Sequence, residues 1–295
     1  MGYINAIIIL GGIGILGALG VAILTGYTGL FTIGNAGFMA LGGYMSAILV
    51  TKLGVPFVIA LLLGGVFAGL CSFIIGIPAF RSQLRGDYFA IATLGFSEAV
   101  RLLLNNTKAV GGAFGYMGIP ILTTLPVVIL FVLFGVIFAH MFVTSQYGKN
   151  CIAISQDEVA AQMMGVNLLK TKLIALFISA FYAGVAGGLL GFYIAYQSPS
   201  FYTTARSSEM LAAVVFGGIQ SLIGPVITAF ILVAVPQLLL VFAEWRLIIY
   251  GALFVIVMIF RPQGLLGYVE MNMNFAYAWW YRLRGKPYAG GKETS

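Results

Sequence analysis

Glu98, Arg101 and Asn105 are polar residues in an otherwise apolar stretch that the sequence predicts to be a helix. Their intervals of three and four positions place them on one stripe of that helix. Asp87 is predicted to cap the helix, and Glu98 then lies about 16 Å along it, close to the middle of a bilayer. Ionisable groups at that depth are costly and face the bundle interior or a water-filled cavity. Two interpretations stay open: the three residues line a translocation pathway, or Glu98 and Arg101 form a self-neutralising structural pair.

Asp157 and Glu158 form an acidic run in the largest polar loop, residues 145–172. They can begin a short helix, because carboxylates complement the dipole at a helix N-terminus, and Gly165 can end it. Such a helix is too short to be stable alone. It is either an ordinary connector at the membrane surface or a docking element that a partner groove supports.

Residues 26–37 contain four glycines, two threonines and one asparagine between apolar regions. Each glycine disfavours a helix by about 1 kcal/mol, so the sequence predicts a break here. The break either lets Tyr27, Asn35 and exposed backbone groups line a pathway or is a plain turn between two helices. Glycine pairs four positions apart, such as Gly65–Gly69 and Gly184–Gly188, are interpreted as sites of close helix packing.

The reactive side chains argue against several classes of enzyme. The chain has one histidine, His140, and two cysteines, Cys71 and Cys151, which fit neither a zinc site nor a disulfide scaffold. No Gly-x-x-x-x-Gly-Lys-Ser/Thr run is present to cradle phosphates. We therefore predict that the chain is not an enzyme and binds no metal or cofactor. Its net charge of +7 is attributed to basic loops of a membrane protein, not to nucleic-acid binding.

The elements that must position these residues are membrane-spanning helices. Hydrophobic residues make up 61% of the 295 residues, and long blocks without charge could each hold one or two crossings of about 20 residues. The prediction is an all-α, polytopic transmembrane bundle with about nine crossings (eight to ten) and a cytoplasmic coupling helix. The predicted crossings are 3–24, 36–51, 56–79, 88–105, 121–143, 173–196, 209–222, 224–243 and 247–260.

Basic residues in the loops predict the orientation. Nine crossings place the segments 80–87, 144–172 and 261–295 on one side, and these carry ten Lys and Arg residues. The opposite loops carry four: Lys52, Lys108, Arg206 and Arg246. The basic side is predicted to be the cytoplasm, with the N-terminus outside and the C-terminus inside. The chain then divides into a transmembrane domain, 1–265, and an aromatic and basic cytoplasmic tail, 266–295.

Several motifs resemble a known family. Glu158, Ala160, Ala161 and Gly165 resemble the Glu-Ala-Ala…Gly loop of ABC importer permeases, although Val159 intervenes. The matching order of further motifs resembles the M-type (LivM-like) permeases of branched-chain amino acid importers over roughly residues 20–265. These motifs are the segments 26–44, 84–101, 111–118 and 217–225.

The resemblance implies a transport mechanism with several partners. A second, LivH-like permease subunit would complete the pathway within membrane lipid, and two ATP-binding subunits would use the ATP. An extracytoplasmic binding protein would deliver branched-chain amino acids, or related small polar solutes such as urea, amides or nucleosides. Residues 155–166 would be the coupling helix in a prokaryotic inner-membrane protein. The alternative is an ion- or proton-coupled secondary transporter with Glu98 as its proton site.

Overall fold

The structure, a computed structural model, describes residues 2–84 and 86–238, which form ten α-helices and no β-strand. The helices are α1 (Gly2–Val21, continued by a π-helical stretch, Ala22–Tyr27), α2 (Asn35–Leu53), α3 (Phe57–Arg81), α4 (Asp87–Asn106), α5 (Leu125–Thr144), α6 (Gln146–Gln156), α7 (Glu158–Met163), α8 (Leu168–Ile194), α9 (Thr204–Gly217) and α10 (Ile223–Leu238). The predicted all-α class is confirmed over these residues.

Among the described residues, five helices are long and apolar enough to cross a membrane: α1 with its π-helical continuation, α2, α3, α5 and α8. Helix α4 has a similar length but carries Glu98 and Arg101, while α9 and α10 are shorter. The total of about nine crossings stays a prediction. The crossing at 247–260, the end of the one at 224–243 and the tail at 266–295 lie outside the described residues.

Helix α8 is the central helix of the bundle: it packs against α1, α2 and α3, and α2 and α3 also pack against each other. A Cβ on Gly42 of α2 would lie 2.2 Å from the Cα of Gly184 in α8, and a Cβ on Gly184 would lie 3.0 Å from the Cα of Gly65 in α3. Backbones that approach this closely gain dispersion energy along the whole contact. These glycines therefore serve packing within the chain, as the sequence interpretation favoured.

Substituting Gly42 by Leu is expected to lower the thermal unfolding temperature of the detergent-purified protein. The added side chain would meet the α8 backbone, and overpacking costs about 1–3 kcal/mol. The matched control is Gly95→Leu in α4, where a Cβ would have nothing within 4 Å. Equal loss of stability in both variants, measured by thermal unfolding, would contradict the contact.

Helix α2 begins halfway along the bundle. Asn35, its first residue, lies beside Ser179, and the Ser179 Oγ donates to Asn35 Oδ1 at 3.5 Å. Ser179 is eleven residues beyond the start of α8 at Leu168, or about 16 Å along that helix. Helix α1 continues past this level as far as Tyr27, and the chain returns through residues 28–34 without a regular helix. The predicted break in residues 26–37 is confirmed.

Two local predictions were wrong. Gly86, not Asp87, occupies the N-cap of α4, with a φ of 52° that glycine tolerates, and Asp87 is the first helical residue. Arg206 was placed in an outer loop because the predicted crossing began at residue 209. Helix α9 instead begins at Thr204, and Arg206 lies in its first turn, with Arg206 Nη1 3.0 Å from Glu209 Oε2.

Candidate functional site

Helices α2 and α9 begin next to each other and run in opposite directions. The backbone N–H of Ala36, in the first turn of α2, donates to Ser207 Oγ of α9 at 2.8 Å. Helix α9 then runs toward the end of the bundle where α6 and α7 lie, since Val214 approaches Gly26 near the end of the π-helical stretch. We call residues 34–37 and 203–207 the mid-bundle junction. Two helix N-termini meet there, so the local potential is positive.

Glu98 of α4 lies at this junction. One of its carboxylate oxygens, Oε2, accepts from Nε of Arg101 at 2.8 Å and lies 2.7 Å from Nη2 of the same guanidinium. The other, Oε1, accepts from the Thr204 hydroxyl at 2.8 Å. The side chains of Glu98 and Arg101 are 29% and 34% exposed. Glu98 and Arg101 therefore form the ion pair that one of the two interpretations predicted. Their exposed surface leaves this pair open to contact from outside this chain.

Two buried side chains, one in the first turn of α2 and one in α4 where it packs against that turn, have unused hydrogen-bonding groups. Asn35 and Ser97 are 1% and 2% exposed, and neither Asn35 Nδ2 nor Ser97 Oγ has a hydrogen-bond partner. Ser97 lies against the first turn of α2, where a Cβ on Gly37 would be 3.1 Å from its Oγ. Leaving such a group unpaired costs about 1–3 kcal/mol. The junction therefore has polar capacity that the described residues do not use.

The structure does not bring all five predicted pathway residues together. Glu98 and Arg101 are paired, and Asn35 belongs to the adjoining buried cluster. Asn105 is exposed, one turn beyond Arg101 near the end of α4. Tyr27 is buried at the end of the π-helical stretch, eight residues before Asn35 along the chain.

The acidic run forms a short helix, as predicted. Asp157 is the N-cap of α7, and its Oδ1 accepts from the backbone N–H groups of Val159 at 2.8 Å and Ala160 at 3.0 Å. Gly165 follows the helix with a φ of 85°, which glycine adopts readily. Ala161 is buried, so the helix has one face toward the protein. The predicted start and end of this helix are confirmed.

Large apolar side chains project from the outer surface of α7 and from its C-cap residue, Met164, next to the exposed Gln162. Val159, Met163 and Met164 are 56%, 82% and 85% exposed. Large apolar side chains that project from a short helix mark a surface that a partner can cover.

Helix α6, which precedes α7, is held against the bundle through the buried side chain of Cys151, and burial raises the pKa of the Cys151 thiol.

An ion pair ties α7 to the central helix. Lys172 of α8 donates through Nζ to Glu158 Oε1 at 2.7 Å, and the two side chains are 7% and 23% exposed. The same ammonium lies 5.9 Å from the centre of the Phe80 ring at the end of α3, within reach of a cation–π interaction. The ion pair therefore joins α7 to α8, and the same lysine also contacts the end of α3.

Sequence reasoning missed several residues of these sites. Lys172 was counted only as a loop charge, and Ser97, Thr204 and Ser207 were not singled out. The sequence does contain a signal for Ser97, because this polar residue lies in an apolar stretch and directly precedes Glu98. Ser207 had no such signal, because its partner Ala36 lies 171 positions away in the chain.

An apolar helical bundle with a polar junction at mid-depth and a capped helix at one end has the features of a multi-pass membrane permease. The family model described as "Branched-chain amino acid transport system / permease component" matches residues 3–258. The chain belongs to this family.

The curated relatives agree with this family. The chain is 34% identical to the high-affinity branched-chain amino acid transport system permease protein LivM of Escherichia coli K12, over 84% of this chain and 66% of that protein. It is 28% identical to the LivH permease protein of the same transport system in Salmonella typhimurium, over 63% of this chain and 61% of that protein. The chain thus spans just under two thirds of the length of these LivM and LivH relatives. No solved structure matches the chain.

Proposed function

We propose that this chain is a permease subunit of an ATP-driven ABC importer for branched-chain amino acids, the substrates in the names of its LivM and LivH relatives. The observation that carries the proposal is α7. It exposes an apolar tip, which consists of Val159, Met163 and Met164. Asp157 caps its start, Gly165 follows its end, and the Glu158–Lys172 ion pair links it to α8. A helix of six residues does not hold this shape alone, and its position suits it to a groove on an ATP-binding subunit.

The distribution of exposed side chains supports a pathway along α4 and α9. Between residues 58 and 78 of α3, and between residues 126 and 143 of α5, every exposed side chain is apolar. These faces suit lipid. Glu98 and Arg101, which are 29% and 34% exposed, do not suit lipid, because charges at mid-depth face protein or water. We infer that a second permease subunit, similar to LivH, covers the α4 and α9 face, and that the substrate passes between the two chains.

The remaining partners follow from this assignment. Two ATP-binding subunits would bind at the α7 end and use the ATP, and an extracytoplasmic binding protein would deliver the substrate to the opposite end. We also propose, from the bias of Lys and Arg toward these loops, that α7 lies in the cytoplasm of a prokaryotic cell and the N-terminus outside. This chain would hold no ATP or metal, and substrate choice would depend largely on the binding protein.

Reconstitution into liposomes tests the proposal. The chain, its partner permease, both ATP-binding subunits and the binding protein are assembled, and uptake of radiolabelled leucine is measured with and without ATP. Uptake that requires ATP and every subunit is the expected result. Urea and a nucleoside serve as competing solutes, and stronger inhibition by either than by isoleucine or valine would redirect the substrate assignment.

The same experiment addresses a secondary transporter that uses Glu98. The carboxylate is bound by a guanidinium and a hydroxyl, and both stabilise its ionised form. A proton carrier must instead release and regain its proton during each cycle. Leucine uptake by this chain alone, driven by an ion gradient without ATPases, would contradict the ABC assignment.

A further inference from the structure

We propose that Glu98, Arg101 and Thr204 form a binding site for the charged head group of a zwitterionic α-amino acid. The substrate carboxylate would take the place on Arg101 and Thr204 that the Glu98 carboxylate holds in this structure. The substrate ammonium would then pair with Glu98. This inference rests on the proposed function and deepens it, because it names the chemical group that the pathway recognises.

The geometry at Glu98 is that of a bound carboxylate. One oxygen lies 2.7 and 2.8 Å from two guanidinium nitrogens of Arg101, and the other accepts a hydrogen bond from the Thr204 hydroxyl at 2.8 Å. Thr204 is the first residue of α9, so the positive end of that helix favours a negative charge at this position. The α-carboxylate of an amino acid has the same shape and charge, and the same donors fit it.

The site can be reached by a solute. The Glu98 and Arg101 side chains are 29% and 34% exposed, whereas Lys172 in the ion pair near α7 is only 7% exposed. Ser97, which directly precedes Glu98, and Asn35, the first residue of α2, also have buried polar atoms without a hydrogen-bond partner.

The charge balance suits an amino acid at mid-depth. The Glu98–Arg101 pair is neutral, and so is a zwitterion. Exchange replaces one ion pair by two, the substrate carboxylate with Arg101 and its ammonium with Glu98, so that no charge is left unpaired. An unpaired charge in a low-dielectric site carries a large desolvation cost. An anion or a cation of similar size would leave such a charge, so the site distinguishes zwitterions from singly charged solutes.

The test measures leucine uptake by the complete importer in proteoliposomes. Glu98→Gln and Arg101→Gln are each expected to lower the ratio of maximal rate to KM by about tenfold or more, because each removes one of the two pairings. The controls are Asp87→Asn, at the start of α4, and Lys108→Gln, just after its end, which each remove an exposed charge away from the proposed site. Both are expected to remain within about twofold of the original chain, because surface substitutions usually change the free energy little.

Reversing the ion pair distinguishes substrate binding from a purely structural role of the two residues. In the double variant Glu98→Arg/Arg101→Glu an ion pair can form, but the carboxylate and guanidinium have exchanged places relative to Thr204. We expect uptake to stay low. Recovery to the original rate would overturn the proposal, as would normal uptake by both single variants.

Two further variants decide the matter if the charge variants do not assemble. Thr204→Val is expected to raise KM several-fold, and Thr204→Ser to retain uptake, because only the hydroxyl is required. Equal KM values for these two variants would overturn the proposal. A failure of the proposed function looks different: the unmodified assembly itself would then show no ATP-dependent uptake.

Discussion

Glu158→Lys is expected to abolish ATP-driven leucine uptake by the reconstituted importer while ATP hydrolysis continues. Lys172 Nζ now lies 2.7 Å from a carboxylate oxygen of Glu158. The substitution would replace that carboxylate with a second ammonium beside the first. Lys172 is 7% exposed and Glu158 23% exposed, so water screens the repulsion only partly. Loss of one partner from a buried pair costs about 3–5 kcal/mol. Helix α7 would separate from α8, and movement of the ATPases would no longer reach the bundle.

Two controls distinguish loss of the ion pair from general damage. Glu158→Gln removes the charge but can still accept the Lys172 hydrogen bond, so a smaller defect is expected. The reversed pair, Glu158→Lys/Lys172→Glu, restores the attraction and should recover part of the uptake. Uptake and phosphate release are measured on the same vesicles. Normal uptake by Glu158→Lys would show that α7 does not transmit movement through this contact.

The short helix could be predicted from the sequence because its determinants are local. Asp157 caps amide groups two and three residues ahead, and Gly165 supplies the positive φ at the other end. The break before α2 was also predicted from local composition, in which two threonines and an asparagine accompany four glycines that each disfavour a helix. Glycine content alone does not decide it, because α8 keeps four glycines, Gly184, Gly187, Gly188 and Gly191, inside an unbroken helix. Neither prediction required knowledge of a distant contact.

The mid-bundle junction could not be predicted, because its contacts join distant parts of the chain. Thr204 and Glu98 are 106 positions apart, and Ser207 and Ala36 are 171 positions apart. The sequence indicated that Glu98 lies deep and must have a partner, and it offered Arg101. It did not indicate that α9 begins at the same depth. Arg206 was therefore placed in a loop, because a charge near the end of an apolar stretch ordinarily marks the membrane surface.

Helix α8 shows how an error in a predicted helix boundary hides a contact. The predicted crossing began at residue 173, whereas the helix begins at Leu168, after the N-cap Asn167, whose Oδ1 accepts from the Lys170 N–H at 3.0 Å. Lys172 thereby becomes part of a helix whose direction carries its ammonium to Glu158. Hydropathy excluded the charged turn from the crossing, although capping and an ion pair make it the first turn of the central helix.

Replacing Met163 and Met164 by Asp together is expected to prevent the ATP-binding subunits from binding the permease. Both side chains are more than four-fifths exposed, at 82% and 85%, so the change does not disturb the interior. Burial of one large apolar side chain contributes about 1.5–3 kcal/mol. Loss of two, with two buried charges introduced, predicts a Kd about 100-fold higher or more. The retained ATPase is measured by co-purification and by titration of the detergent-solubilised permease.

The matched control for this double variant is Met117→Asp. Met117 is 68% exposed and follows Tyr116, whose backbone pairs with Gln197 beyond the far end of α8. A charge there tests the general effect of a polar substitution at the opposite end of the bundle. It should leave ATPase binding unchanged. If Met117→Asp and the α7 double variant reduced binding equally, the cause would be a folding defect. The result would then contradict α7 as the ATPase-binding surface. If neither reduced it, the ATPase would bind elsewhere, and the apolar tip of α7 would require another partner.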